Sequence, residues 1–254
     1  MLIDCFMFYN ELDVLEARLQ LLDEYIDRFV LVEAEVNHRG TSKELFFEKN
    51  KERYAKWLPK ITHVIAKDLP TDKDPWSREK AQRHAVLEGL TDCDPLDIVM
   101  VSDVDEIPDL TKVPFERMPT SVMVCHMHMF QYSLDYYFDL EPWFGTVITT
   151  VELLRKFGPN EFRDHRWKLA RLPEAGWHLS SFGDPKHVRN KFETYAHALD
   201  ATTAPGDVIE QNAREGKWGE HVLQPPPDNV PMPPLPFGEL IRLNLLKFPS
   251  VPHQ

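Results

Sequence analysis

The segment "LIDCFMFYNELDVLEARLQLLDEYIDRFVLVEAE", residues 2–35, decides the fold that we predict for this chain. It opens with an apolar strand over about residues 2–8, and leucines at 12, 15, 19 and 22 then lie at helical spacing. Asn10 is the predicted N-cap of this helix. A second apolar strand follows at 28–35, and a strand, a helix and a strand joined by short loops predict a right-handed parallel crossover.

The same alternation continues to about residue 110. Residues 62–69 predict a short strand, residues 49–61 could form a helix, and residues 75–90 predict a helix that begins at Pro75. "DIVMVSDVD", residues 97–105, is the fourth strand, and its unbroken apolar run is typical of a parallel strand covered on both faces. The sequence therefore predicts an α/β sandwich with a mixed, mostly parallel central sheet.

The character of the sequence changes after Pro108. Residues 121–138 and 144–154 resemble strands of an antiparallel or mixed part, and residues 187–199 resemble a helix. Residues 224–238 contain seven prolines and are expected to be extended. We therefore predict one domain over residues 1–223, with halves 1–110 and 111–223, followed by a proline-rich C-terminal arm at 224–254.

Size and charge argue against several classes of protein. The chain has 254 residues, 43% of them hydrophobic, which is enough for one large core. Its net charge of −12 argues against a nucleic-acid or membrane-surface binder. No apolar run approaches the roughly 20 residues of a membrane span, so we expect none. Cys5, Cys93 and Cys125 are widely spaced, which indicates free thiols and a cytoplasmic protein.

Three carboxylates follow the fourth strand in "DIVMVSDVDEIPD", residues 97–109. Side chains alternate along an extended backbone, so Asp103 and Asp105 point the same way. In open α/β sheets, ligands bind beyond the carboxyl ends of the strands, where this pair is expected. Two carboxylates on one side suit Mn²⁺ or Mg²⁺, which would neutralise their mutual repulsion. An isolated D-x-D would indicate a solvated acidic turn, but the buried strand before it favours a metal site.

Five segments of the chain resemble one known family, in the same order. "DVDEIP" at 103–108 is similar to the D-x-D-E-I-P segment of glycosyltransferase family 17, whose best-known member is the β-1,4-mannosyl-glycoprotein 4-β-N-acetylglucosaminyltransferase. The chain resembles a bacterial or viral member of that family. The other segments are residues 9–40, "WSREKAQR" at 76–83, "GWHLSSFG" at 176–183 and "KFETYAH" at 191–197.

The resemblance implies a GT-A fold, a nucleotide-sugar donor such as UDP-GlcNAc, and Mn²⁺ or Mg²⁺ as cofactor. It also implies transfer to a glycan or saccharide hydroxyl with inversion at the anomeric carbon. Residues 1–110 would be the nucleotide-sugar-binding half and residues 111–223 the acceptor side. Asp105 is the expected direct metal ligand, Asp103 would contact the ribose, the metal or both, and His178 is the expected third ligand. The metal would stabilise the charge of the leaving diphosphate.

The candidate donor-binding residues lie on several elements. Arg78, Gln82 and Arg83 share the helix before the D-x-D strand, where a guanidinium could bind two phosphate oxygens. Ion pairs on a solvated helix are the alternative. Lys191 and His197 could close over the phosphates, with surface solvation as the alternative for Lys191. The remaining candidates are Asn10, Glu11, Glu33 and Asp103.

An inverting transfer needs a carboxylate that accepts the proton of the acceptor hydroxyl. The candidates after the D-x-D motif are Asp135, Asp139, Glu141, Glu161 and Asp164. We rank Asp164 and Asp135 together. Asp164 has the position along the chain that is common in GT-A enzymes, although Arg163 and Arg166 could offer it ion pairs, and Asp135 has aromatic neighbours that could face a sugar.

Three other functions remain open from the sequence. A nucleotidyltransferase of related fold would share the metal site, but it usually needs a Gly-rich phosphate loop, which "CFMFYNELD" at 5–13 lacks. A phosphatase with a D-x-D nucleophile would normally carry the motif on its first strand. A carbohydrate-binding protein that keeps a non-catalytic GT-A shell is the non-enzymatic alternative.

Overall fold

The computed structural model describes residues 1–71, 74–195 and 204–246. These residues form eleven β-strands and eight α-helices, with short 3₁₀ turns between some of them. In chain order the elements are β1 (Leu2–Met7), α1 (Leu12–Leu22), β2 (Arg28–Ala34), α2 (Phe46–Lys49), β3 (Ile61–Ala66), α3 (Pro75–His84), β4 (Ile98–Asp103), β5 (Glu106–Pro108), β6 (Met123–Gln131), β7 (Tyr137–Thr150), α4 (Val151–Phe157), α5 (Pro159–Asp164), β8 (Ala170–Leu172), β9 (Gly176–Ser180), α6 (Pro185–Thr194), α7 (Gly206–Glu215), β10 (Lys217–Trp218), β11 (His221–Val222) and α8 (Phe237–Arg242).

Nine strands form one sheet in the order β3-β2-β1-β4-β7-β6-β9-β5, with β8 beside β6. β3, β2, β1 and β4 pair in parallel, and β6 pairs in parallel with β8 and β9. The pairs β4–β7, β6–β7 and β5–β9 are antiparallel. The predicted α/β sandwich with a mixed, mostly parallel central sheet is therefore confirmed, as is the parallel pairing of β1 with β2 across α1.

Apolar side chains cover both faces of the parallel strands. Phe6 and Leu31 lie in one fully buried cluster with Leu15 of α1. Cys5 and Val32, their neighbours along the same strands, belong to a second buried cluster. Successive side chains of a strand point to opposite faces, so the two clusters lie on the two sides of the sheet. This arrangement explains the unbroken apolar run at 98–101.

The start of α1 differs from the prediction. Asn10 is not the N-cap, because Glu11 occupies that position and makes no side-chain capping bond. The Glu11 carboxylate instead accepts hydrogen bonds from the backbone N–H groups of Tyr9 (3.3 Å) and Asn10 (3.0 Å). Both donors precede the helix, so the Glu11 side chain holds the loop between β1 and α1 rather than the free N–H groups of the first helical turn.

Two further predictions about helices and strands were wrong in extent. Residues 49–61 form 3₁₀ turns rather than a helix, because α2 ends where the Asn50 side-chain amide donates to the carbonyl of Phe46 (2.8 Å). The strand predicted to run over 144–154 ends at Thr150, whose hydroxyl accepts the N–H of Leu153 (3.4 Å) and begins α4. The helix predicted at 187–199 is confirmed as far as Thr194, and its last four residues lie outside the described ranges.

The proline-rich segment packs against the sheet domain. Residues 225–236 contain neither helix nor strand, as expected, and α8 begins at Phe237. Leu235 packs on the main core, and the Trp177 indole donates to the carbonyl of Pro231 (2.7 Å). The backbone N–H of Leu134 donates to Leu245 (2.8 Å). None of the described helices is both long and apolar enough to cross a membrane.

Candidate active site

The carboxyl ends of β1 and β4 open onto a cavity of about 910 Å³. Its lining comes from the β1–α1 loop, the loop after β2, and the elements α3, β7, α5, β9, α6, α7 and β10. The turn between β4 and β5, which carries the D-x-D motif, lies on its floor. This is the edge of the sheet at which an α/β sandwich is expected to bind its ligand.

The fully buried side chain of Arg18 in α1 supports the D-x-D turn through hydrogen bonds. Arg18 makes two hydrogen bonds to the carboxylate of Asp4 in β1, at 2.8 and 2.6 Å. Nη2 of Arg18 also donates to the hydroxyl of Ser102 (2.7 Å). Nη1 donates to three backbone carbonyls, those of Asp103 (3.2 Å), Val104 (3.2 Å) and Glu106 (2.9 Å). The Arg18 side chain therefore holds the backbone of the turn, and this backbone sets the direction of the Asp103 and Asp105 side chains.

Asp105 lies between a lysine and a histidine. Nζ of Lys191 in α6 donates to its Oδ2 at 2.8 Å, and Nε2 of His178 in β9 lies 3.7 Å from its Oδ1. Burial by itself would raise the pKa of Asp105, but the Lys191 ammonium and His178 hold it well below its usual range. In the same way burial would lower the pKa of Lys191, and Asp105 and Glu11 raise it. The carboxylate and the ammonium are both charged at neutral pH.

Asp103 and Glu106 share a second cation. Arg163 of α5 donates to Oδ2 of Asp103 (2.6 Å) and to Oε1 of the fully buried Glu106 (2.7 Å). Glu106 also accepts the Trp143 indole N–H (2.9 Å) and the backbone N–H of Asp103 (3.1 Å). Arg83 of α3 lies 3.6 Å from Oδ1 of Asp103. The three carboxylates that crowd the end of β4 are thus each neutralised by a basic residue distant in sequence.

A sequence model of the family described as Glycosyltransferase family 17 matches residues 1–207. The chain belongs to glycosyltransferase family 17. The family that its motifs resemble is thereby confirmed, and the chain is a glycosyltransferase. No curated protein matches this glycosyltransferase significantly.

The solved structures that resemble this glycosyltransferase are distant. HddC from Yersinia pseudotuberculosis is 10% identical, with a TM-score of 0.38 over 70% of this chain and 90% of that protein. The same protein complexed with GMP-PN is 10% identical, with a TM-score of 0.39 over 68% and 88% of the two chains. Francisella tularensis 2-C-methyl-D-erythritol 4-phosphate cytidylyltransferase (IspD) is 8% identical, with a TM-score of 0.41 over 76% and 100%. At these TM-scores the overlap bears on neither the substrate nor the reaction.

Asp105 and His178 of the glycosyltransferase fit a divalent metal ion, with Asp103 beside them. Nε2 of His178 and Oδ1 of Asp105 are 3.7 Å apart, so the two side chains would have to approach each other slightly to reach the separation of about 3 Å between adjacent ligands of an octahedral ion. Oδ1 of Asp103 is buried without a hydrogen-bond partner in the described part of the chain, so it is open to a further contact. Within that part, no three metal-binding side chains lie close enough to hold an ion alone, so phosphate oxygens and water would have to complete the coordination.

The structure brings five of the nine candidate donor-binding residues to the cavity. They are Glu11, Gln82, Arg83, Asp103 and Lys191. Gln82 donates to the carbonyl of Val32 (3.2 Å) and contacts Nε2 of His38 (3.2 Å), so it also supports the loop after β2.

Four candidates are not among the residues that line the cavity. Arg78 donates to the carbonyl of His38 (2.5 Å), which makes it a support of the cavity wall. Glu33 is fully buried and pairs with His63 (3.1 Å), while Asn10 lies beside α1 with its Oδ1 buried. His197 lies outside the described residues.

Of the two carboxylates ranked first as catalytic base, only Asp164 lines the cavity. Its partner is Lys80 (2.7 Å), whereas Arg163 turns away to Asp103, so the expected pairing with Arg163 was wrong. Asp135 lies in the turn between β6 and β7, where its carboxylate bonds the Ser133 hydroxyl (3.2 Å).

Several residues of the site were missed by sequence reasoning. Arg163 and Arg166 were considered only as residues that could offer Asp164 an ion pair, yet both line the cavity beside Trp143 and Trp167. Arg163 lies on α5 and Arg166 in the 3₁₀ turn after it, so the close spacing of two arginines beside Asp164 was the only signal in the sequence. Arg18 could also have been found from the sequence, because an aspartate inside an apolar strand, here the buried Asp4, requires a cationic partner.

Proposed function

We propose that this glycosyltransferase moves a sugar from a nucleoside-diphosphate donor to a glycan or saccharide hydroxyl with inversion, and that it requires Mn²⁺ or Mg²⁺. UDP-GlcNAc is the first candidate donor. The observation that carries the proposal is the D-x-D turn, held rigidly by Arg18, on the floor of a cavity of about 910 Å³. Ligand pockets commonly measure about 300–1,000 Å³, so a cavity of this size can hold a nucleotide-sugar.

The lining charges support an anionic donor. Although the whole chain carries a net charge of −12, the described residues that line the cavity include as many basic as acidic side chains. The basic ones are Lys43, Lys80, Arg83, Arg163, Arg166 and Lys191, and the acidic ones are Glu11, Glu79, Asp103, Asp105, Glu141 and Asp164. The cavity is therefore much less acidic than the chain as a whole, which makes it the place where a diphosphate meets least repulsion.

A divalent ion held by Asp105 and His178 would supply positive charge where negative charge develops on the leaving diphosphate. The chain contributes the rest of the electrostatic environment. Lys191, 2.8 Å from Asp105, is near enough to meet the same phosphates, and Arg83 lines the floor beside Asp103. Arg18 and Glu106 keep the D-x-D turn in place, which preserves the orientation of both aspartates.

For the base, we propose Asp164 in preference to Asp135. It lines the cavity and its carboxylate is half-exposed, so an acceptor hydroxyl can reach it. Its role is to accept the proton of that hydroxyl as the oxygen attacks the anomeric carbon. The contact with Lys80 (2.7 Å) orients the Asp164 carboxylate before the acceptor binds.

We also propose a cytoplasmic location, with no nucleic-acid partner. The support is that Cys5, Cys93 and Cys125 are buried free thiols, as a reducing compartment keeps them.

A donor screen with UDP-, GDP- and TDP-sugars tests the reaction, with the released phosphate compound identified in each case. We expect nucleoside diphosphate to be released from a UDP-sugar in the presence of Mn²⁺ or Mg²⁺, and the release to stop with EDTA. Asp105→Asn should abolish this release, and Asp139→Asn is its matched control, because Asp139 is an exposed carboxylate that does not line the cavity. Release of pyrophosphate from a nucleoside triphosphate would instead identify a nucleotidyltransferase, and turnover unaffected by EDTA would contradict the metal requirement.

A further inference from the structure

Arg166 begins a 3₁₀ turn two residues after the end of α5. Its side chain lines the active-site cavity and contacts the rings of two tryptophans. The centre of its guanidinium lies 5.4 Å from the ring of Trp143 and 5.0 Å from the ring of Trp167. Contacts of this kind stabilise a cation by the ring quadrupole and hold its plane in a defined orientation. Nη1 also donates to the carbonyl of Arg163 (3.0 Å), so the side chain is positioned without a ligand.

The charge of Arg166 is not neutralised within the described part of the chain. Four other cations of the lining, Lys80, Arg83, Arg163 and Lys191, each pair with a carboxylate. Arg166 has no ion pair there, and its Nε is buried without a hydrogen-bond partner. Burial, and then repulsion by Arg163, lower its pKa to about 10, which leaves it cationic at neutral pH.

A buried N–H donor on a cation destabilises the protein unless a ligand satisfies it. Nη2 of Arg166 has no hydrogen-bond partner in the described part of the chain and is not buried, so this end of the guanidinium can donate to an oxygen of a phosphate or a carboxylate. We infer that Arg166 binds an anionic oxygen group of a substrate, a phosphate or a carboxylate, in the active-site cavity. This inference rests on the proposed function for the identity of the substrate, and it adds a binding residue that the D-x-D motif does not include.

Two sources can supply such a group. One is the diphosphate of the donor, which Arg166 would hold on the Asp103 side while Lys191 lies on the Asp105 side. The other is a carboxylate on a sugar, in which case Arg166 would select an acidic saccharide. Inorganic pyrophosphate and D-glucuronate represent the two sources, and D-glucose is the neutral control.

Calorimetric titration of the full chain with each compound, in EDTA, tests the inference without any turnover. EDTA excludes a metal contribution, so the carboxylates of the floor keep their partners Arg163 and Lys191. We expect the protein to bind at least one anion and Arg166→Gln to bind it about tenfold more weakly. Arg166→Lys should lie between the two, because it keeps the charge but loses the second oxygen contact. Arg171→Gln is the matched control, since Arg171 also stacks on an aromatic ring, that of Phe144, yet does not line the cavity.

Weaker binding of pyrophosphate assigns Arg166 to the donor diphosphate, and weaker binding of D-glucuronate assigns it to an acidic sugar. Unchanged affinity of Arg166→Gln for both anions, or no binding of either by the unmodified protein, overturns the inference. Should Arg166→Gln fail to fold, Arg166→Met, which keeps contact with both indoles, takes its place. Loss of anion binding in the variant, together with no release from any nucleotide-sugar, would leave the role of Arg166 standing and remove the proposed reaction.

Discussion

Replacement of Arg18 by methionine should both destabilise the protein and impair donor use. The variant leaves the carboxylate of Asp4 buried without a cation, and removal of one partner from a buried ion pair costs about 3–5 kcal/mol of unfolding free energy. It also leaves the carbonyls of Asp103, Val104 and Glu106 without their shared donor. Because typical domains are stable by only about 5–15 kcal/mol, most of the stability could be lost.

The double variant Asp4→Leu/Arg18→Met separates stability from positioning. Replacing both members of a buried pair by apolar residues is often close to neutral, so the double variant should recover the part of the stability that the unpaired Asp4 carboxylate costs, but not the part lost with the hydrogen bonds to the three carbonyls. The D-x-D turn would still lack its support, and we therefore expect kcat to remain reduced by at least about tenfold, the effect of a small misplacement in an active site.

Urea unfolding and nucleoside-diphosphate release measure the two effects on the same preparations. Arg28→Gln, which breaks the more exposed ion pair with Asp92, is the matched control and should leave the unfolding midpoint almost unchanged. A double variant with normal kcat would refute the positioning role of Arg18. A single variant with normal stability would refute the energetic argument.

Three other variants probe the base, the phosphate contact and the C-terminal segment. Asp164→Asn should reduce sugar transfer by at least about 10²-fold while UDP binding is retained, and Asp135→Asn should change neither transfer nor binding. Loss of transfer in Asp135→Asn with normal transfer in Asp164→Asn would make Asp135 the base. Lys191→Met should raise the KM of the donor about tenfold or more and lower kcat, while a normal KM would limit Lys191 to the support of Asp105. Trp177→Phe removes the hydrogen bond to Pro231 and should cost about 1 kcal/mol in urea unfolding without changing kcat, so a large loss of activity would contradict a purely structural role.

The sheet could be predicted from local sequence because its signals are local. The unbroken apolar runs of β2 and β4 and the leucines of α1 are each visible within a dozen residues, and both faces of the strands are covered as these runs require. Where the helices begin and end depended on side-chain hydrogen bonds, which the hydrophobic pattern of the sequence does not report. Asn50 and Thr150 ended or began an element through their own side chains, and neither changes the hydrophobic period.

The site could be predicted only in part. The location of its carboxylates followed from the topology of the sheet, whereas the ion pairs that they form did not. Asp103 and Asp105 were expected at the carboxyl end of β4, and the cavity lies there. Their partners, Arg163 and Lys191, are separated from them by 60 and 86 residues, and no local pattern reports such a contact. Glu33 shows the same limit, since a buried glutamate required a partner and only the parallel pairing of β2 with β3 brings His63 to it.

UDP binding with and without Mn²⁺ tests the central claim most directly. The claim is that the D-x-D turn holds a metal ion that binds the donor's phosphates, with Asp105 as its principal ligand. Calorimetry on the unmodified protein should show UDP bound at least about tenfold more tightly with Mn²⁺ than with EDTA, and Asp105→Asn should remove that difference while still unfolding cooperatively in urea, at a lower midpoint because the ion pair with Lys191 is lost. Equal affinity of the unmodified protein for UDP in Mn²⁺ and in EDTA would contradict the claim.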